Sequence, residues 1–87
     1  MIPSIADQIE IQPIAQRILR AANIRASVEM ENHFITDIFE VTEEMHDGAT
    51  FEEGATELIR RVGGTKNLPE YITCMVMTRR AALKWRG

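Results

Sequence analysis

Met30, Phe34, Ile38, Val41 and Met45 recur at intervals of three and four residues. At about 100° per residue they line one side of a helix roughly four turns long. Asp37, Glu40 and Glu44 are expected on the opposite side together with His33, so the segment reads as an amphipathic helix with a solvated acidic face. Ile, Phe, Val and Thr between residues 33 and 42 are also strand formers. Alternation fails at Ile38-Phe39, whereas the helical spacing persists throughout.

The punctuation elsewhere is helical too. Ser4 with Asp7, Thr50 with Glu53 and Asn67 with Glu70 each set a capping side chain three residues ahead of an acid. The first satisfies free amide groups and the second favours the positive helix end. Pro13 and Pro69 suit first helical turns, and Gly48 and Gly63-Gly64 suit helix ends. The expectation is an all-α chain, a small compact bundle of four to five helices at approximately 4–11, 13–23, 27–46, 50–62 and 68–86. A break near Asn23 with Ser27 as the next cap keeps Arg25 off the apolar stripe of Ile14 and Ile18.

The last helix poses the same difficulty. Run unbroken from Pro69, it places Arg79 and Arg86 on the side that carries Leu68 and Met75. Unpaired arginines are costly to bury, so they either stay at an exposed edge or the helix breaks near Met77-Thr78.

Eighty-seven residues, 45% hydrophobic and 26% charged, make one globular domain over 1–87 with a thin core, and exclude a disordered chain. The single cysteine, Cys74, permits no intramolecular disulfide and fits a reducing compartment. The opening Met1-Ile2-Pro3-Ser4 lacks the basic-then-apolar pattern of a signal peptide. The apolar run from Tyr71 to Met77 is too short to cross a bilayer. A cytoplasmic chain with no membrane partner is expected.

Charge is distributed unevenly. Between Arg25 and Arg60 lie ten acids and no Lys or Arg; from Arg60 onward there are seven bases and one acid, Glu70. The middle is thus −10 and the end +6, a pattern that speaks to partners or assembly rather than to fold.

Four groups of residues carry candidate chemistry. In the basic end, Thr78 can cap a short helix bearing Arg79, Arg80, Lys84 and Arg86, with Ala82 and Trp85 facing inward. Preceded by Val62-Gly63-Gly64-Thr65 and a helix from Leu68, this segment resembles the helix-turn-helix of small phage-type repressors. That resemblance implies nucleic-acid binding by the four bases. It covers about a quarter of the chain, and Val76 and Met77 stand where the turn usually has glycine. The competing assignment is a solvated face, or pairing with the acidic middle helix within the fold or across a dimer.

The acidic stripe of His33, Asp37, Glu40 and Glu44 has divalent-metal chemistry, but helical metal sites draw ligands from more than one helix and no second cluster is visible. It reads better as a solvated face or as a surface for a basic partner. Cys74, among Ile72, Met75, Val76 and Met77, reads as a buried structural thiol. Tyr71, Ile72, Met75, Val76 and Met77 with Trp85 make the last helix apolar over most of its circumference, a surplus that an interface explains.

Gly63-Gly64 lacks the strand and lysine of a phosphate loop, and no nucleophile has a partner. The expected function is therefore non-enzymatic and cofactor-free: a small regulator, adaptor or inhibitor that binds a protein partner and forms a homo-oligomer. Its interface candidates are Tyr71, Met75, Met77, Trp85, Asp37, Glu40 and Glu44. The alternative is a small DNA- or RNA-binding regulator using Arg79, Arg80, Lys84 and Arg86.

Overall fold

The computed structural model describes the backbone of residues 5–86 and the side chains of residues 11–82. It contains α1 (Ile5–Ala21), α2 (Val28–Glu44), α3 (Phe51–Val62), a 3-10 turn (Thr65–Asn67) and α4 (Leu68–Arg86). The all-α bundle is as expected, and none of its described helices is long and apolar enough to cross a membrane. α2 is the hub, touching each of the other three helices.

The helix ends follow local chemistry. Ser27 accepts the Met30 amide at the start of α2, and Thr50 and Glu53 form a reciprocal capping box at the start of α3. α1 ends with Asn23 in the left-handed region (φ 61°), the Asn23 amide bonding to the Arg20 carbonyl and the Ile24 amide to that of Leu19. α3 ends the same way, with Gly63 left-handed and the Gly64 amide on the Ile59 carbonyl. Both are the arrangement in which a left-handed residue lets two further amides satisfy terminal carbonyls.

Two expectations need correction, and one alternative left open is decided in favour of the unbroken helix over 68–86. The helices expected on either side of Pro13 are one, since α1 runs unbroken from Ile5 to Ala21. Proline removes one backbone bond, but Ile11, Ala15 and Leu19 are all buried at four-residue spacing, so core packing favours a continuous helix past it. Asn67 does not cap α4. Its amide nitrogen donates back to the Val62 and Gly63 carbonyls at 3.1 and 3.2 Å, closing the end of α3. Lastly, α4 does not break near Met77-Thr78: the Thr78 hydroxyl donates to the Cys74 carbonyl one turn back (2.8 Å), an interior bond rather than a cap.

The core is built from Leu19, Phe34, Ile38, Leu68 and Ile72, all fully buried, with Ala15, Val41, Ala55, Leu58, Met75 and Val76 around them. α3 approaches α2 most closely at Gly54. A methyl group there would lie 1.8 Å from Thr42 Oγ1 and 3.0 Å from the Ile38 carbonyl. The Thr42 hydroxyl is itself held on that carbonyl at 2.7 Å. The absent side chain thus sets how near the two helices come.

Candidate functional site

Two polar regions stand out, one between α2 and α4 and one at the turn joining α2 to α3. In the first, Asp37 is buried at 8% exposure, accepting from the Tyr71 hydroxyl and from an Arg79 guanidinium nitrogen. A second Arg79 nitrogen lies 3.0 Å from His33 Nδ1 and 3.3 Å from the His33 carbonyl. A guanidinium has no acceptor, so His33 Nδ1 must offer its lone pair. The imidazole proton therefore sits on Nε2, which faces a Glu29 oxygen at 3.9 Å. Next to it, Arg80 makes two bonds to Glu29, at 2.8 and 3.0 Å, and lowers the Glu29 carboxyl pKa.

This cluster corrects the expected solvated face. Asp37 projects under α4, because it stands three residues after Phe34 and four before Val41 and so borders the apolar stripe rather than opposing it. Glu40 and Glu44 are exposed as expected; Glu44 pairs with Arg61 at 2.7 Å. Arg79 need not be stranded at an edge by a straight α4, since Asp37 neutralises it. Of the four candidate nucleic-acid contacts, Arg79 and Arg80 are thus engaged within the fold. The side chains of Lys84 and Arg86, like that of Trp85, lie outside the described residues.

Burial pushes the Tyr71 phenol far above its ordinary value; its bond to Asp37 and that carboxylate's charge push the same way, and Arg79 opposes them. A phenol harder to ionise in the folded chain contributes stability below its unfolded pKa of about 10, and loses it as pH rises through the folded value. Stability should therefore fall above about pH 10 in the native sequence and stay flat there in Tyr71→Phe, as read by urea titration. Tyr71 is the only tyrosine, so tyrosinate absorbance follows this one group. A folded-state midpoint near that of the urea-unfolded chain would contradict the buried placement.

The apolar surplus expected in α4 is mostly absorbed by the core. Met75 is a core residue rather than an interface one, Ile72 and Val76 are buried, and Tyr71 is half-buried against the core. Among the described apolar residues of the run Met77 alone stands out, at 64% exposure. Cys74, read as buried, is exposed. It shares the solvent side of α4 with Thr73, Met77 and Thr78, because Leu68, Ile72, Met75 and Val76 mark the inward face. Ellman's reagent is expected to titrate one thiol per chain without denaturant, at nearly the rate seen in denaturant; a thiol that reacts only after unfolding would contradict this.

The second region went unnoticed in the sequence. Phe39 lies off the main apolar stripe of α2 and Phe51 is the first residue of α3. The short turn sets their rings 5.3 Å apart at 60°. With Met45, Ala49 and the turn backbone they line a pocket of about 380 Å³ whose border carries Glu43, His46 and Asp47. A neighbouring groove of about 530 Å³ runs from Met45 along Glu52, Glu53 and Glu57 to Arg60. His46 Nε2 lies 3.2 Å from Glu53, and bonding to the Asp47 carbonyl and then to Glu53 raises the imidazole pKa. Asp47 and Glu52, both exposed, have no basic partner among the described residues. The signal available beforehand was a phenylalanine on each flank of a Gly48 turn within an acidic stretch.

Among the described residues no group of three or more His, Cys, Asp or Glu is disposed to hold a metal ion. No protein-family model matches the chain, and no curated protein or solved structure is similar to it.

Proposed function

We propose that the chain is a non-enzymatic regulator or adaptor that acts by binding a protein partner. The observation that carries this is the pocket of Phe39, Met45 and Phe51 at the α2–α3 turn. Half-buried aromatic and methionine side chains form an adaptable apolar floor, and the carboxylates of Asp47 and Glu52 near them are exposed and available to a cation. Arg79, Arg80 and Arg61 are paired with Asp37, Glu29 and Glu44, and Arg60, on the border of the neighbouring groove, with Glu57, whereas Asp47 and Glu52 keep a negative charge that no described base meets. That combination favours a protein segment with an apolar anchor flanked by Lys or Arg.

The test compares capture from native lysate by the native chain and by Asp47→Lys/Glu52→Lys, each with and without nuclease. The variant changes only exposed carboxylates, and circular dichroism confirms its fold. Protein captured by the native chain, lost on the charge reversal and indifferent to nuclease supports the proposal. Capture that nuclease abolishes points instead to nucleic acid and to the basic end of α4. Binding unaffected by the reversal would remove the pocket from the function.

A further inference from the structure

The same chain contains a segment of the chemistry this pocket calls for. Its C-terminal end reads Leu83-Lys84-Trp85-Arg86, an aromatic residue with a base on each side. It is the only tryptophan in the sequence, and it belongs to the most basic stretch, facing in composition the most acidic one. We propose that the pocket at the α2–α3 turn receives the Lys84-Trp85-Arg86 end of a second copy of this chain, so that the molecule self-associates head to tail. The proposal rests on the protein-binding reading above and names its occupant.

Geometry rules out the chain's own end. Tyr71 bonds to Asp37, Arg79 reaches His33 and Asp37, and Arg80 bonds to Glu29, so α4 runs toward the N-terminal end of α2 as it proceeds. The pocket is at the other end of α2, where Phe39, Thr42 and Met45 line it. From Glu29 to Met45 the helix rises about 24 Å, and α4 continues past Arg80 in the wrong direction by roughly another 9 Å. Pocket and basic end therefore sit at opposite poles of a molecule whose longest dimension is 36 Å. Two such unlike patches on one chain define a heterologous contact, which either closes into a ring or propagates.

The physical terms agree. An indole fits a pocket of about 380 Å³ floored by two phenyl rings and a methionine, with edge-to-face contacts to both rings available. Lys84 and Arg86 would meet Asp47 and the neighbouring carboxylates of Glu52 and Glu53, on a rim that stays hydrated and is therefore sensitive to salt.

The experiment is sedimentation over a range of protein concentrations at low and high salt, with Trp85 emission recorded on the same samples. For the native chain the mass rises with concentration, less so in high salt, and the emission shifts to the blue as the indole leaves water. Trp85→Ala weakens association by about thirtyfold, the loss typical of an aromatic anchor, and Asp47→Lys/Glu52→Lys removes both the mass increase and the blue shift. The deciding sample mixes the two variants. One retains the pocket and the other the anchor, so at a concentration where neither associates alone the two together give a one-to-one complex with blue-shifted emission.

A native chain that stays monomeric with unchanging emission overturns the proposal, as does a mixture that fails to associate or variants that assemble as the native chain does. If the native chain is monomeric yet captures a protein that the charge reversal releases, only the occupant is wrong and a foreign basic segment fills the pocket. If it captures nothing, the protein-binding reading falls as well.

Discussion

Asp37→Ala lowers the unfolding free energy by about 3 kcal/mol, the range for breaking one side of a buried ion pair, with the lower end expected because Arg79 retains some solvent contact. The side chains of Arg79 and Asp37 are 29% and 10% exposed. Removing the carboxylate leaves the guanidinium partly desolvated against His33 and strips the Tyr71 hydroxyl of its acceptor. Arg79→Met should cost slightly less, since the exposed part of its side chain already has water. Tyr71→Phe, which deletes one hydrogen bond, should cost about 1 kcal/mol.

The informative comparison is the double variant Asp37→Leu/Arg79→Met, which replaces the pair with apolar side chains of similar volume. Buried pairs so replaced are often neutral or stabilised. The double variant should therefore recover most of what either single change loses, measured by urea denaturation at neutral pH. Additive losses would mean that Asp37 and Arg79 do not act as a pair. The cluster then would not be what holds α4 on α2.

Gly54→Ala is expected to destabilise the protein by about 2–3 kcal/mol, as overpacking a tight contact does, despite the gain of roughly 1 kcal/mol that alanine brings to a helix interior. The added methyl meets Thr42 Oγ1 and the Ile38 carbonyl, and both belong to a helix that cannot give way without disturbing Phe34 and Val41. α3 must move out instead. Thr42→Ala removes the nearer obstacle, so adding it to Gly54→Ala should restore part of the loss, whereas Thr42→Ser keeps the hydroxyl and should restore none. Equal behaviour of the two threonine variants, by thermal unfolding, would place the clash elsewhere. A displaced α3 would also separate Phe39 from Phe51, so the same substitution should weaken any binding at the turn.

Much of the fold is written locally. The Met30-to-Met45 periodicity, the Ser27 and Thr50 caps and the Asn23 and Gly63 stops depend on residues within one turn of each other, so they can be read without knowing the tertiary structure. Pro13 misled for the complementary reason. The local penalty of a proline is visible in the sequence, while the burial of Ile11, Ala15 and Leu19 that outweighs it is long-range. Asn67 was ambiguous locally, having the composition of a cap for the following helix while serving the preceding one.

The amino-acid sequence alone determined a chain of helices, their capping chemistry, and the separation of an acidic middle from a basic end. Only the tertiary structure decided which charges are consumed. Asp37 stands three residues after Phe34 and four before Val41, at the edge of the apolar stripe, and only the packing shows that α4 covers that edge and that the residue 42 positions later in the chain supplies the neutralising cation. Burial of Met75, exposure of Cys74 and the meeting of Phe39 with Phe51 were settled in the same way. Capping and periodicity are interactions between near neighbours in the chain. Burial and ion pairing depend on which helix faces become neighbours in space.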